Sequence, residues 1–179
     1  IAGTVEIAQS IPQDVIILPA EEEVLNNKTS FLEMYKLIYQ HPGERLVQSS
    51  GGRYIIHNPP ANQSQKELDD VYGLSFTREP HPYYSGRSIP AFEMIRSSIT
   101  SHRGCVSGCS FCSLALHQGR KIVSRSAESI YDEARKIQSM DYFSGHITDI
   151  GGPSANMYGY RCRAGWHCSR ESCLHPDVC

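Results

Sequence analysis

Three cysteines fall within eight residues of this chain, at Cys105, Cys109 and Cys112. A loop with the spacing C-x₃-C-x₂-C is short enough to direct three thiolates at one centre. Three thiolates match three irons of a four-iron cluster, whose fourth iron stays open to a ligand that is not a protein cysteine. A zinc site completed by His102 or His117 is the alternative, although zinc sites usually combine two cysteine pairs. The motif therefore predicts a metal centre and favours iron–sulfur.

The other four of the seven cysteines lie near the end of the chain, at Cys162, Cys168, Cys173 and Cys179. The first 104 residues contain none. A disulfide-stabilised secreted domain would spread its cysteines more evenly, so two dense groups favour metal binding in a reducing compartment such as the cytoplasm. Four thiolates predict a second metal site at 162–179, which suits an iron–sulfur cluster or zinc equally. A thiol-rich disordered tail is the remaining alternative.

Composition excludes several classes of function. The 179 residues carry a net charge of −2 with both signs interspersed, so nothing indicates a nucleic acid or a membrane surface as partner. No apolar run approaches the roughly 18–20 residues of a membrane span. No basic segment precedes an apolar one, as it would in a secretory signal. Because the chain opens on Ile1 and stops on Cys179, we expect it to be a piece of a longer protein.

The N-terminal portion, residues 1–90, has the pattern of an α/β segment. An apolar run over 14–18 predicts a buried strand. Pro19 and the acidic residues 21–23 suit the first turn of a following helix. A second helix is predicted over the residues just before 41, because apolar side chains recur in this stretch at helical spacing. Its predicted core face consists of Phe31, Met34, Tyr35, Ile38 and Tyr39.

Further along this portion, residues 45–57 predict a β-hairpin that turns at Gly51-Gly52. A short polar helix over 63–72 and a proline-rich connector over 77–90 follow. We place the domain boundary at the end of this connector, which makes 91–179 the second unit.

The sequence of the second unit predicts a βαβ arrangement. A strand over 94–100 leads directly into the cysteine loop, and a second strand over 145–150 ends at Gly151-Gly152. Between them lies a helix capped by Ser126, whose apolar positions are Ala127, Ile130, Tyr131, Ala134 and Ile137. Parallel strands joined by a right-handed crossover bring their following loops to one edge. The cysteine loop and the Gly-Gly turn are therefore predicted to face one another.

The cysteine motif, with an aromatic residue before its third cysteine, resembles the signature of radical S-adenosylmethionine (SAM) enzymes. Within that superfamily the whole chain resembles the middle of the YgiQ family. The stretches that carry the resemblance lie at 54–60, 72–76, 103–105, 109–112, 117–120, 124–126 and 149–158.

This resemblance implies a site. The three cysteines of the loop would ligate a [4Fe-4S] cluster, and SAM would chelate the fourth iron through its amino and carboxylate groups. The reduced cluster would cleave SAM to methionine and a 5′-deoxyadenosyl radical, which abstracts hydrogen from a substrate. The backbone around Phe111 would lie against the adenine, and the carbonyls of Gly151 and Gly152 would hold the amino group. Pro153 stands where many members carry an acidic residue.

The resemblance also implies a fold and partners. Residues 1–90 would belong to the YgiQ-type N-terminal domain, and residues 91–179 would open a partial TIM-type barrel. An electron donor such as flavodoxin or ferredoxin would reduce the cluster, and the substrate is unknown. We expect this piece alone to be inactive, because it lacks most of the barrel that would shield the radical. The alternative function is a structural or electron-transfer iron–sulfur or zinc module that does not cleave SAM.

Overall fold

The structure is a computed structural model that describes residues 2–61, 63–165, 168, 170 and 172–179. It divides into two compact units, Ile1–Asn62 and Gln63–Cys179. The predicted boundary at residue 90 divides two family domains and not two compact units, so it stays a prediction.

The first unit is built on a four-stranded sheet with the order β1-β4-β3-β2. The strand β2 runs parallel to β3, and the other pairs are antiparallel. Its buried apolar residues are Leu18, Leu46, Val47 and Ile56. Its elements are β1 (Val5–Ala8), β2 (Ile16–Ile17), α1 (Glu21–Asn26), α2 (Lys28–Gln40), β3 (Leu46–Ser50) and β4 (Arg53–His57).

The predicted hairpin is confirmed as β3 and β4. Ser50 pairs with Arg53 across the turn. Gly51 and Gly52 take φ values of +54° and +75°, the left-handed conformation that a tight hairpin turn requires at both central positions. Glu22 of α1 accepts a hydrogen bond from the Gly51 N–H at 3.1 Å, so the acidic start of α1 also holds this turn.

Two predictions for the first unit are wrong in part. The strand predicted over 14–18 shrinks to β2, because Asp14 adopts a left-handed φ of +57°, and Ile17 is 61% exposed. The helix α2 ends before His41 as predicted, but none of its residues is buried. Phe31 and Tyr35 of the predicted core face are each about half exposed, at 49% and 50%. The apolar stripe is real, but the described part of the first unit does not cover it.

The second unit contains a parallel pair of strands with helices between them. Its elements are α3 (Gln65–Gly73), a short 3₁₀ helix (Pro82–Tyr84), α4 (Pro90–Ile95), β5 (Ser98–Thr100), β6 (His102–Arg103), α5 (Leu114–Gln118), β7 (Val123–Ser124), α6 (Ala127–Gln138) and β8 (Asp149–Gly151). The strands β5 and β8 are parallel, with Ile99 opposite Ile150. The strands β6 and β7 form a small antiparallel pair that the sequence pattern did not predict.

The βαβ prediction is confirmed in its parallel pairing and corrected in its strand limits. Met94 and Ile95 belong to α4, because Pro90 begins a helix there, and β5 starts only at Ser98. The strand β8 begins at Asp149, later than predicted. A two-stranded parallel sheet is consistent with an α/β fold but does not establish a barrel. Among the described residues, no helix is long and apolar enough to cross a membrane.

The helix α6 starts at its predicted cap, since the Ser126 hydroxyl accepts a hydrogen bond from the Ser129 N–H at 3.1 Å. Ile137 is fully buried as predicted, whereas Tyr131 lies mostly in solvent. Glu133 takes a buried position on the same helix. A carboxylate therefore occupies part of the face that the pattern assigned to apolar side chains.

Glu133 forms ion pairs with two arginines, Arg78 and Arg125, and all three side chains are largely buried. The guanidinium of Arg78 also donates to the Ser98 carbonyl at 2.7 Å. The guanidinium of Arg125 donates to the Thr100 carbonyl at 2.9 Å. This triad satisfies the carbonyls on one edge of β5, because β8 pairs with the opposite edge.

We expect Glu133→Ala to lower the free energy of unfolding by about 3–5 kcal/mol, because it leaves two buried guanidinium groups without their counter-charge. Urea denaturation followed by circular dichroism measures this loss. Asp132→Ala is the matched control, since Asp132 pairs with Arg135 on the exposed face of the same helix. The control variant should lose less than about 1 kcal/mol of unfolding free energy. Equal losses in the two variants would show that the triad has no special role.

Candidate metal and ligand site

The cysteine loop lies between β6 and α5, directly beyond the parallel strand β5. Gly104 enters the loop with a φ of +96°. A Cβ at this position would lie 2.2 Å from the Lys121 carbonyl oxygen, so the close approach of the two backbones requires glycine. The Cys105 N–H then donates to the Gly119 carbonyl at 3.0 Å, which ties the start of the loop to the end of α5.

Cys105 is the buried member of the three predicted cluster ligands. Its sulfur accepts a hydrogen bond from the Ser154 hydroxyl at 3.3 Å. Burial alone would raise the pKa of the Cys105 thiol, but hydrogen bonds from Ser154 and Ser107 outweigh it and hold this pKa below its ordinary value. The surroundings of Cys105 therefore favour the thiolate, which is the form that ligates iron.

Cys109 and Cys112 lie further along the same loop, the first exposed and the second half-buried. The Cys112 N–H donates to the Cys109 carbonyl at 3.0 Å in a tight turn. Across the described residues, no three His, Cys, Asp or Glu side chains are arranged as a metal site. The donor chemistry fits a cluster all the same, since one short loop supplies three free thiols, one of them in a thiolate-favouring environment.

The Gly-Gly turn lies beside the cysteine loop, as predicted from the topology. The bond from Ser154 to Cys105 joins the segment after β8 directly to the loop. A Cβ on Gly152 would lie 2.1 Å from Nε2 of His102, so the buried imidazole occupies the space that a side chain would need. The absence of a side chain at Gly152 thus has a reason in packing, which the sequence interpretation did not foresee.

His102 is fully buried and bonded to the protein through both ring nitrogens. The Met157 N–H donates to Nε2 at 3.3 Å, so Nδ1 carries the hydrogen and donates to the Ser101 hydroxyl at 2.9 Å. The Ser101 hydroxyl in turn donates to the Gly151 carbonyl at 3.0 Å. His102 therefore orders the Gly-Gly turn, and neither nitrogen is free to complete a zinc site.

The backbone around Phe111 is predicted to lie against the adenine, and the side chain of Phe111 is 91% exposed. Its ring is therefore accessible to a ligand.

A cavity of about 170 Å³ opens where β5 and β8 meet the Gly-Gly turn. Its polar side chains are those of Arg103, Asp149 and Gln118 together with the hydroxyls of Ser98 and Thr100. The Gln118 side-chain oxygen is buried and has no hydrogen-bond partner among the described residues. The complete lining is Ser98, Ile99, Thr100, Arg103, Gln118, Asp149, Gly151, Gly152 and Pro153.

The last described part of the cysteine-rich segment, residues 172–179, bonds to the cysteine loop. The Cys173 N–H donates to the Val106 carbonyl at 3.1 Å, and the Ser172 hydroxyl donates to the Ser107 carbonyl. The Cys179 N–H bonds to the Cys173 carbonyl at 2.8 Å. These bonds bring the backbone around Cys173 to the cysteine loop, which the sequence pattern did not predict.

The hydroxyl group of Tyr160 interacts electrostatically with three of these four cysteines. A hydrogen bond with Cys173 raises the pKa of Tyr160, and burial and the charges of Cys173, Cys179 and Cys162 add to this effect. Cys168 is exposed, and its sulfur accepts a hydrogen bond from the Arg170 N–H at 3.4 Å. All seven cysteines of the chain are free thiols.

Comparison with known proteins gives consistent matches. A family model described as Radical SAM N-terminal matches residues 1–98. A UPF0313 protein of Geobacter sulfurreducens is 46% identical over 94% of this chain and 29% of its own length. UPF0313 proteins of Fusobacterium nucleatum and Bacteroides thetaiotaomicron are 38% and 41% identical over 100% and 93% of the chain. The chain spans 28–33% of the length of these three relatives. No solved structure matches it.

We expect Gly152→Ala to destabilise the second unit by about 1–3 kcal/mol, because the added methyl group overlaps the His102 ring and the buried ring has nowhere to move. Thermal unfolding with calorimetry measures the effect. Gly73→Ala is the control, since a Cβ there meets nothing within 4 Å. That control should be neutral or slightly stabilising. A Gly152→Ala protein that is as stable as the control would contradict the packing argument.

Proposed function

Because the chain belongs to the UPF0313 family, which is the YgiQ family of radical SAM proteins, we propose that it carries the cofactor-binding part of a radical SAM enzyme. The observation that carries the proposal is the hydrogen bond between Ser154 and Cys105. It joins the three-cysteine loop to the Gly-Gly turn, and a module that only bound metal would not need this turn. On this proposal β5 and β8 are the first strands of a partial TIM-type barrel.

Cys105, Cys109 and Cys112 are the proposed ligands of a [4Fe-4S] cluster. When bound, the cluster and SAM supply reductive cleavage of the carbon–sulfur bond of SAM, which begins radical chemistry on a substrate. The chain contributes a thiolate-favouring environment at Cys105, provided by the Ser154 and Ser107 hydrogen bonds. The chain also contributes Gly104, which allows the backbone at the start of the loop to lie close to the backbone of Lys121.

The same proposal assigns SAM to the cavity beside the Gly-Gly turn. Gly151 and Gly152 line this cavity, and no side chain of either stands between a ligand and the backbone. On this proposal the backbone around Phe111 lies against the adenine, beside a side chain that is exposed. Since His102 holds the turn through Ser101 and Met157, the chain presents this surface in a fixed conformation.

We propose a second metal site formed by Cys162, Cys168, Cys173 and Cys179. The backbone hydrogen bond from Cys173 to Val106 supports it, because it attaches part of this cysteine-rich segment to the cysteine loop. Four thiols suit zinc or an iron–sulfur cluster. We also propose a cytoplasmic location, since two dense groups of cysteines suit metal binding in a reducing compartment. An electron donor such as flavodoxin or ferredoxin would supply the electron, and the substrate stays unknown.

Anaerobic reconstitution of the full-length protein with iron and sulfide tests the main proposal. After addition of dithionite and SAM, we expect 5′-deoxyadenosine and methionine as products, measured by liquid chromatography and mass spectrometry. The Cys105→Ala, Cys109→Ala, Cys112→Ala triple variant should give only background product, because the cluster loses its ligands. It should also lose the electron paramagnetic resonance signal of the reduced cluster.

Ser110→Ala is the matched control for that experiment, since Ser110 is exposed on the same loop and ligates nothing. It should retain both signal and product. A wild-type protein with a full cluster that yields no 5′-deoxyadenosine would disprove the enzyme and favour the electron-transfer module. Unchanged iron in the triple variant would disprove the cluster assignment.

Metal content distinguishes the two chemistries of the second site. Replacing Cys162, Cys168, Cys173 and Cys179 by Ala should remove one zinc ion per chain and leave iron unchanged, or remove a cluster's share of iron and sulfide. Elemental analysis of anaerobically purified protein measures both. If neither zinc nor iron changes, the second metal site does not exist.

A further inference from the structure

The polar groups in the cavity beside β5 and β8 match the two ends of an α-amino acid. Arg103 offers a cation, while Gln118 and Asp149 offer acceptor oxygens. Pockets that enclose a whole drug-sized ligand measure about 300–1,000 Å³. At about 170 Å³ the cavity has room for part of a ligand, and a head that carries one carboxylate and one amino group fits its chemistry.

Gln118 contributes a buried side-chain oxygen to this cavity that has no partner among the described residues. Its Oε1 is buried without a hydrogen bond from any described residue, although buried polar atoms are almost always bonded. The amide can turn about its last side-chain torsion, which is broad. Its backbone cannot move as freely, because the adjoining Gly119 carbonyl accepts from the Cys105 N–H. An acceptor is therefore held close to the cysteine loop and left unsatisfied.

At the Gly-Gly turn, one of the backbone acceptors that line the cavity is already engaged. The Gly151 carbonyl already accepts from the N–H of Ser101 at 2.7 Å and from its hydroxyl at 3.0 Å. Pro153 has neither an N–H nor a polar side chain. Asp149 remains as an acidic alternative on the exposed side.

The cation Arg103, which also lines the cavity, is held in place by Tyr72. Its guanidinium donates to the Tyr72 hydroxyl at 3.2 Å and lies 5.9 Å from the centre of the same ring. It has further donors in its planar fork, which can bind a carboxylate. Arg103 and Gln118 thus provide opposite hydrogen-bonding roles in one small space.

We propose that Gln118 accepts a hydrogen bond from the α-amino group of the amino-acid head of SAM, with Arg103 toward its carboxylate. This inference rests on the proposed function and names the residue that selects for the amino group. An amide suits this role, since the amino group keeps N–H donors whether or not it is bound to a metal.

Binding measurements test the inference without turnover. Isothermal titration calorimetry on the full-length, cluster-loaded protein would use S-adenosylhomocysteine, which has the same head but is not cleaved, and its analogue without the α-amino group. We expect Gln118→Ala and Gln118→Met to weaken S-adenosylhomocysteine binding about tenfold, the loss of one hydrogen bond. Both variants should bind the analogue as tightly as the wild type does. Gln118→Glu keeps the acceptor and should retain affinity.

Controls separate this inference from the proposed function. Gln138→Ala, at an exposed end of α6, should bind like the wild type, and iron content should be unchanged in every variant. If both acceptor-free variants bind S-adenosylhomocysteine as the wild type does, the inference is overturned while the proposed function stands. If Asp149→Asn alone abolishes the preference for the amino group, Asp149 takes the role and the inference is again overturned. A wild type that binds neither SAM nor S-adenosylhomocysteine would overturn the proposed function itself.

Discussion

The carbonyl oxygens of Ser98 and Thr100, on one edge of β5, accept hydrogen bonds from the arginine side chains held by Glu133. The opposite edge pairs with β8, which sets Thr100 level with Gly151. A strand of three residues has little pairing of its own, so both edges must be satisfied for it to keep its place. The cysteine loop and the Gly-Gly turn both continue from these two strands. Their juxtaposition therefore depends on a charged triad that bonds to the edge of β5 away from β8, at two residues that also line the cavity, Ser98 and Thr100.

Local patterns in the sequence predicted the elements whose geometry is set by near neighbours. The Gly51-Gly52 hairpin, the Ser126 cap and the parallel strands were all predicted, because turn chemistry and periodicity act over a few residues. Strand limits were less predictable, since Pro90 starts a helix inside the expected strand. The triad was missed because Arg78 is remote in sequence from Glu133. A carboxylate at a core-facing position of α6 was the available signal.

The proximity of the two loops at the site was predicted from the topology, whereas the roles of individual residues at the site were mostly not predicted from their identity. Loops that follow parallel strands meet at one edge, and the bond from Ser154 to Cys105 shows that these two loops do. The role of His102 was not predictable, because it arises from side-chain packing against Gly152. Gln118 had no signal in the sequence: an unpaired buried oxygen exists only once the chain is folded. The contact of Ser172 and Cys173 with the cysteine loop is made to backbone carbonyls of the loop, which leave no trace in the residue types of the loop.

The contact between Gly152 and His102 has a consequence for how such a site can change over evolution. A side chain at 152 would need the volume that the imidazole fills, so position 102 would have to become smaller first. The same imidazole bonds to Ser101 and Met157, and losing it would release the turn. The two positions are therefore expected to vary together or not at all. We therefore expect the cavity to adapt to a different ligand through changes in the side chains around this pair, and not through changes at positions 102 and 152.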